Sequence, residues 1–238
     1  MDSSWNPALS PTHVGMIMDG NGRWARAQGM ARSEGHKEGL KAAKRVTKAA
    51  SDLGVKFLSL YVFSTENWKR AEQEVSFLMF LLKSHLLKEW DFYRDNRIKV
   101  VHSGYLEGLP KDVQADLLQV QHDTAHFDGL TVNLAINYGG QDEILRAIKR
   151  WSADPQKPQE LTAGTFKNYL DQPQLPPVDL MVRTAGEARL SNFLLWQSVY
   201  AEYYFSPKLW PDWNETDLLE ALRAFNQRHR KFGGLHGE

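Results

Sequence analysis

The chain has 238 residues, 42% of them hydrophobic, and its 29 basic and 29 acidic side chains leave a formal net charge of zero. That length suits one α/β domain, 1–238, with a sizeable core. The lack of cysteine excludes a disulfide framework and thiolate chemistry, balanced charge gives no global field for nucleic acid or an anionic membrane, and no run approaches the ~20 apolar residues of a membrane span.

Residues 1–12, "MDSSWNPALSPT", are polar and lack the apolar core of a signal peptide. They read as a flexible N-terminal segment of a cytoplasmic protein. His13–Met18 then reads as a short buried strand, and Ser33–Leu53 as a helix stopped near Gly54. Val55–Phe63 is β-rich, Ala71–Asn96 is helical with a strongly apolar middle, and Arg97–His102 is a strand. Pro110–Ala125 suits a helix opened by proline. Leu130–Ile136 is a strand, followed by Gly139-Gly140 and a helix to Trp151. Two Pro-rich loops flank a short helix, Val178–Arg183 and Val199–Phe205 are the last strands, and Glu215–Lys231 closes the chain before Gly233-Gly234. This alternation predicts a mostly parallel central sheet flanked by helices.

Three clusters carry chemistry. The first is "MDGNGRWA", where a strand hands over to a helix. Ligands gather beyond the carboxyl ends of parallel strands, and Gly20 and Gly22 let the backbone approach an anion. Arg23 adds a charged clamp. Asp19 would repel bound phosphates unless a hard cation lay between, and Mg²⁺ takes one or two carboxylates plus phosphate oxygens. The stretch 19–48 holds eight basic and three acidic residues, in keeping with an anion site or a solvated helix face. Gly20-x-Gly22-x-x-Ala25 also fits a dinucleotide fingerprint, but the acidic residue about 20 positions on is missing, and a purely structural tight turn stays open.

The second cluster, "FSTENWKR" (63–70), leaves the second strand on the same sheet edge with many different polar functions, though Ser, Thr and Asn also serve as helix caps. The third, "VRTAGEARLSNFLLW", places Arg183, Arg189 and Ser191 on one loop, a second anion site. Glu202 follows in an apolar run, where it either faces solvent or pairs with a partner or metal. "FLMFLLKSHLL" exceeds what one core-facing stripe needs; it reads as a buried helix or as the wall of an apolar channel. Two diphosphate sites, one metal and an apolar channel describe prenyl diphosphate condensation.

"HVGMIMDGNGRWA", "GHKEG", "LYVFSTENWKR", "NYGGQDEI", "VDLMVRTAGEARLSNFLLWQSVYAEYYF" and "KFGG" together resemble the cis-prenyltransferases, in order, from His13 to Gly234. Within them the resemblance points to the bacterial undecaprenyl diphosphate synthases. It implies a Z-prenyltransferase fold with an apolar tunnel walled by the apolar helix, and a homodimer. It also implies condensation of isopentenyl diphosphate with an allylic diphosphate such as farnesyl diphosphate. The product would be a long Z-polyprenyl diphosphate, a carrier-lipid precursor for cell-wall synthesis. Such an apolar product implies transient contact with the inner face of the membrane.

By this resemblance Asp19 is the essential carboxylate and holds Mg²⁺. Gly20, Asn21, Gly22 and Arg23 cradle the allylic diphosphate, with Trp24, Arg32 and His36 lining the same site. Ser64, Thr65, Glu66, Asn67, Trp68 and Arg70 form the substrate loop. Arg183, Arg189, Leu190 and Ser191 bind isopentenyl diphosphate, and Glu202 is the second metal-linked carboxylate. Asn67 is often assigned as proton acceptor, but a neutral amide is a poor base; positioning suits it better, with diphosphate or Asp19 as acceptor.

Some positions depart from the pattern. Ala185 replaces a glycine, Ala188 a histidine found near the metal in some relatives, and Val62 the alanine frequent in long-chain enzymes. Lys231 replaces the arginine of a C-terminal segment that reaches across the dimer, with loss of bidentate geometry. A shorter-chain or irregular synthase is the alternative on the same fold. A non-catalytic partner subunit would lack Asp19 and the Gly20–Arg23 turn.

Overall fold

"HVGMI" is apolar along its length and buried at every position, as a central parallel strand requires. This strand, β1 (His13–Ile17), is joined in the computed structural model, which describes residues 5–228, by β2 (Phe57–Ser64), β3 (Lys99–Ser103), β4 (Thr131–Tyr138), β5 (Leu180–Arg183) and β6 (Glu202–Phe205). Among the described residues these form one parallel sheet in the order β3-β4-β2-β1-β5-β6. From β1 the chain moves to β2 on one side and returns with β5 on the other. Neighbouring crossovers therefore part at the carboxyl end of β1, where such sheets hold their ligands.

The helices are α1 (Asn21–Ala27), α2 (Arg32–Asp52), α3 (Glu72–Leu86), α4 (Trp90–Asp95), α5 (Lys111–Thr124), α6 (Gly140–Ala153), α7 (Ala163–Phe166) and α8 (Glu215–Asn226). Ala42, Val46 and Ala50 of α2 and Leu218 and Leu222 of α8 pack in one core with Val14 and Met16 of β1 and Leu58 and Leu60 of β2. Ile17, Met181, Tyr138 and Phe193 build a second, smaller cluster. Because side chains alternate along a strand, β1 contributes to both.

Three expectations need correction. The single helix over 71–96 is two, α3 and α4, joined by a turn at Leu87–Glu89. No Gly or Pro lies there; the turn goes with tertiary contacts, since Glu89 pairs with Lys44 of α2 and Trp90 rests on Phe127. The last strand begins at Glu202 rather than Val199, for Val199 and Tyr200 are exposed turn residues. Part of the N-terminal segment is tied down: Trp5 Nε1 and Ser10 Oγ both donate to the Leu53 carbonyl, and Pro7–Leu9 form a 3₁₀ turn. Lys231, Gly233-Gly234 and the end of the predicted closing helix lie outside the described residues, as do residues 1–4.

Candidate active site

The floor of the site is made where β1 and β5 end side by side, with Ile17 opposite Arg183. Thr184 latches the two strand ends. Its hydroxyl donates to the Asp19 carbonyl at 2.7 Å and accepts the Asp19 N–H at 2.9 Å. Arg183 is 3% exposed. Its Nη2 donates to Asp19 Oδ2 at 2.9 Å, and its Nη1 donates to Ser191 Oγ at 2.7 Å and to the Arg189 carbonyl at 2.5 Å. One buried guanidinium thus ties the first cluster to the third. Its Nε is buried without a hydrogen-bond partner among the described residues, which is unusual outside a ligand site.

The Gly20–Arg23 turn follows Asp19. Gly20 has φ +107°, and a Cβ there would lie 2.9 Å from Leu209 Cδ2, so only glycine fits. Asn21 then packs on α2 so closely that a Cβ on Gly35 would come within 2.0 Å of the Asn21 carbonyl oxygen. The glycines of "GHKEG" thereby fix the angle at which α1 leaves the turn. Arg23 reaches back to Asp19 Oδ1 at 3.6 Å and across to Glu187 at 3.4 Å, and Glu187 also holds Arg189. Asp19 keeps a side chain 31% exposed to the cleft.

On the opposite wall three cationic or titratable groups converge on one carboxylate. Glu74, in the first turn of α3, lies 3.2 Å from Arg32, 2.8 Å from Arg70 and 3.5 Å from His36. Burial holds the His36 imidazole below its ordinary value; Glu74 pulls it up, while Arg32 and Arg70 push it down. Glu74 escaped sequence reading because a glutamate opening a helix is ordinary N-terminal charge. The second cluster is closed by Asn67, whose Oδ1 accepts the Ser64 N–H at 3.1 Å. Glu66 accepts from Asn192 at 2.8 Å. Burial alone would raise the Glu66 carboxyl, but that bond and others outweigh it and hold it low.

These groups surround a cleft of about 930 Å³. Asp19, Gly20, Asn21, Gly22, Arg23, Arg32, His36, Ser64, Glu66, Asn67, Arg70, Arg183, Arg189 and Ser191 line it, as the sequence predicts. Five candidates stand elsewhere. Trp24 donates to Asp212 at 2.7 Å and Trp68 to Asn137 at 2.7 Å, so each indole braces a neighbouring turn. Thr65 sits against Gly139, and Leu190 packs on the smaller core cluster. Glu202 opens β6 opposite Leu180, at the amino end of the strands, and pairs with Arg228 at 2.7 Å. Within one chain it is not beside Asp19.

Tyr61 and Asn192 line the cleft and went unnoticed in the sequence. The Tyr61 hydroxyl donates to the Ser191 carbonyl at 3.2 Å and its ring stacks on Phe193 at 4.4 Å. A register shift in the β2–β4 pairing falls at Val62, so this strand bulges at the cleft edge. Behind it runs an apolar tunnel of about 170 Å³ among Met18, Leu40, Leu60, Val62, Leu78 and Leu82. The apolar helix α3 supplies much of its wall.

Among the described residues no group of three or more His, Cys, Asp or Glu is placed to hold a metal. A fully protein-built cage is therefore not what this cleft offers. The donor set is one half-open carboxylate beside a turn and several arginines, which fits a hard cation shared with a phosphate ligand. Ala188 leaves no imidazole at that position.

The family model "Prenyltransf", described as "Putative undecaprenyl diphosphate synthase", matches residues 17–233. An isoprenyl transferase of Treponema denticola is 52% identical over 93% of this chain and 96% of its own. The (2E,6E)-farnesyl-diphosphate-specific ditrans,polycis-undecaprenyl-diphosphate synthase of Micrococcus luteus is 42% identical over 97% and 94%. The crystal structure of lavandulyl diphosphate synthase from Lavandula x intermedia, in complex with dimethylallyl diphosphate, superposes with a TM-score of 0.89 at 35% identity, covering 95% of this chain and 99% of that one. This chain, with its Asp19–Arg183 floor at the switch point of a parallel sheet, belongs to the undecaprenyl diphosphate synthase family of prenyltransferases.

Proposed function

We propose that this chain condenses isopentenyl diphosphate with an allylic diphosphate, farnesyl diphosphate by its likeness to the Micrococcus luteus relative, into a long Z-polyprenyl diphosphate. The observation that carries this reading is the single cleft in which Asp19, the Gly20–Arg23 turn and the Arg183–Arg189–Ser191 loop meet over the mouth of an apolar tunnel.

The allylic diphosphate lies against the turn, with Arg23, Arg32 and His36 around it. Its C–O bond breaks as negative charge grows on the leaving diphosphate, and fixed cations stabilise that charge where it appears. Mg²⁺ held by Asp19 and the diphosphate oxygens would supply further neutralisation there. Arg183, Arg189 and Ser191 hold isopentenyl diphosphate so that its double bond faces the allylic carbon. The new C–C bond forms and a proton then leaves. Asn67 is pinned by the Ser64 N–H, so it positions substrate while diphosphate or Asp19 takes the proton.

The reading includes a homodimer. Strand β6 is the sheet edge, and Val199 and Tyr200 beside it are 71% and 64% exposed. Glu202, remote from Asp19 within one chain, would join a metal site only in such an assembly. No described helix is long and apolar enough to cross a membrane; contact with the inner face of the membrane would be transient, at product release.

A shorter product is the second reading, favoured by Val62 at the bulge and by the small tunnel. Labelled isopentenyl diphosphate with farnesyl diphosphate and Mg²⁺, followed by chromatography of the dephosphorylated products, tests both. Long Z-polyprenols are expected. Products that stop after one or two additions would establish the second reading, and no incorporation would refute both.

A further inference from the structure

The tunnel does not end in the core. Its lining includes Glu89, which pairs with Lys44, and these side chains are 25% and 49% exposed. An ion pair that wet cannot cap a dry, blind cavity. Two other lining residues, Leu86 and Tyr93, also line a second cavity of about 370 Å³ with Leu87, Trp90 and Val120 and with the polar Gln119 and Asp123. Leu86 and Tyr93 therefore stand between the tunnel and that groove. Leu87 and Trp90 are 42% and 37% exposed, so part of their apolar surface meets solvent although Trp90 also rests on Phe127.

Volume says what belongs there. An apolar cavity of about 150 Å³ holds one benzene, so a tunnel of about 170 Å³ holds roughly one isoprene-sized group. The three isoprene units of a farnesyl tail already exceed it, so added units have no room inside it, and packed cores resist extra methylenes. The turn between α3 and α4, at Leu87–Glu89, places a break in the wall where the chain would meet it.

We propose that the far end of the growing polyprenyl chain leaves the tunnel between Leu86 and Tyr93 and lies in the groove formed by Leu87, Trp90 and Val120. This rests on the long-chain reading above. The occupant is the product's own hydrocarbon, because the groove continues the tunnel and shares its wall. Contact with Leu87 and Trp90 removes apolar surface from water on both sides.

Three variants test it: Leu87→Glu and Trp90→Glu, on exposed positions that leave folding intact, and Leu86→Trp, which plugs the wall. Circular dichroism and thermal melting establish that each is folded. In the two glutamate variants, single-turnover addition of one isopentenyl unit to farnesyl diphosphate is expected to stay within about twofold of wild type. Under excess isopentenyl diphosphate the longest products disappear and shorter ones accumulate. A farnesyl-derived chain lengthened by the enzyme and carrying a terminal photoreactive group should label the peptide holding Leu87 and Trp90. Full-length product from both glutamate variants, or labelling confined to the tunnel residues, overturns the proposal while leaving the function standing. A wild type that makes only short products overturns the proposal together with the long-chain reading, and one that incorporates nothing removes the function as well.

Discussion

The two cationic walls of the cleft are built in opposite ways. Arg183 is buried, held by Asp19, Ser191 and a carbonyl, and mounted on a strand end. Arg32 and Arg70 are more than a third exposed on their side chains and share one carboxylate, Glu74, at helix starts. The first wall is rigid because moving it would leave a buried charge unpaired. The second hangs two partly exposed arginines on a largely buried Glu74, and those arginines can turn to an incoming anion. A rigid wall suits the group that must be aimed, and an adjustable one suits the group that must arrive and leave.

Asp19→Ala should have the largest effect, since that carboxylate holds both Arg183 of the rigid wall and Arg23 of the turn. Turnover is expected to fall about 10³-fold, equivalent to ~4 kcal/mol of transition-state stabilisation, and the melting temperature is expected to fall as well, because the buried Arg183 guanidinium loses its carboxylate partner. Steady-state incorporation of labelled isopentenyl diphosphate reads it. Retention of most activity with Mg²⁺ present would remove Asp19 from the chemistry.

The rigid wall is sharpened by pairing Arg183→Ala with Arg189→Ala. Both should raise KM for isopentenyl diphosphate by tenfold or so, about 1.4 kcal/mol, and that for the allylic substrate less. Only Arg183→Ala should also lower stability, by about 1–3 kcal/mol, because it alone empties a buried hydrogen-bonded position. Denaturant titration separates the two. Equal effects on both substrates would end the division into two anion sites.

For the adjustable wall, Glu74→Gln should raise the allylic KM a few-fold, with isopentenyl KM nearly unchanged. It also has a pH signature. His36 is held low by burial in the folded chain, so between its ordinary value near about 6.5 and its folded value the unfolded chain binds more protons. Stability is therefore full above that window and falls as pH drops through it. Glu74 raises His36, so its neutralisation depresses the imidazole further and widens the window. Melting curves from pH 7.5 to 5.5 should show a steeper loss in Glu74→Gln than in wild type. Identical slopes would mean that Glu74 and His36 are uncoupled.

The smallest effect concerns the loop that carries the rigid wall. Ala185 has φ +71°, the left-handed region that disfavours a Cβ, and Ser191, Asn192 and Leu194 share it. Ala185→Gly should stabilise the chain by about 0.5–1 kcal/mol. The departure from the family's glycine is thus a strain kept in the backbone. A loss of stability on that substitution would show that burial of the Ala185 methyl, in a residue 5% exposed, outweighs it.

Strand and helix order, the parallel sheet and the polar ends of three strands were all legible in the sequence, because they follow from local periodicity and from residue types that chemistry restricts. Asp19, Arg23, Arg183 and Ser191 could be read as an anion site before any contact was known. Only tertiary structure decided the rest. Each indole N–H of Trp24 and Trp68 found an acceptor far along the chain, which no local pattern shows. Glu202 stands at the amino end of its strand, apart from Asp19 within one chain, because parallel register with Leu180 fixes where β6 begins. Tyr61 came to the cleft on a bulging strand, and Glu74 came to hold the cleft's Arg32, Arg70 and His36 through helix packing, neither visible in one dimension. The turn that splits α3 from α4 carries no breaker residue; contacts 45 residues away in sequence, between Lys44 and Glu89, go with it. Local sequence encodes what a residue prefers, and only the folded chain settles which of its partners it meets.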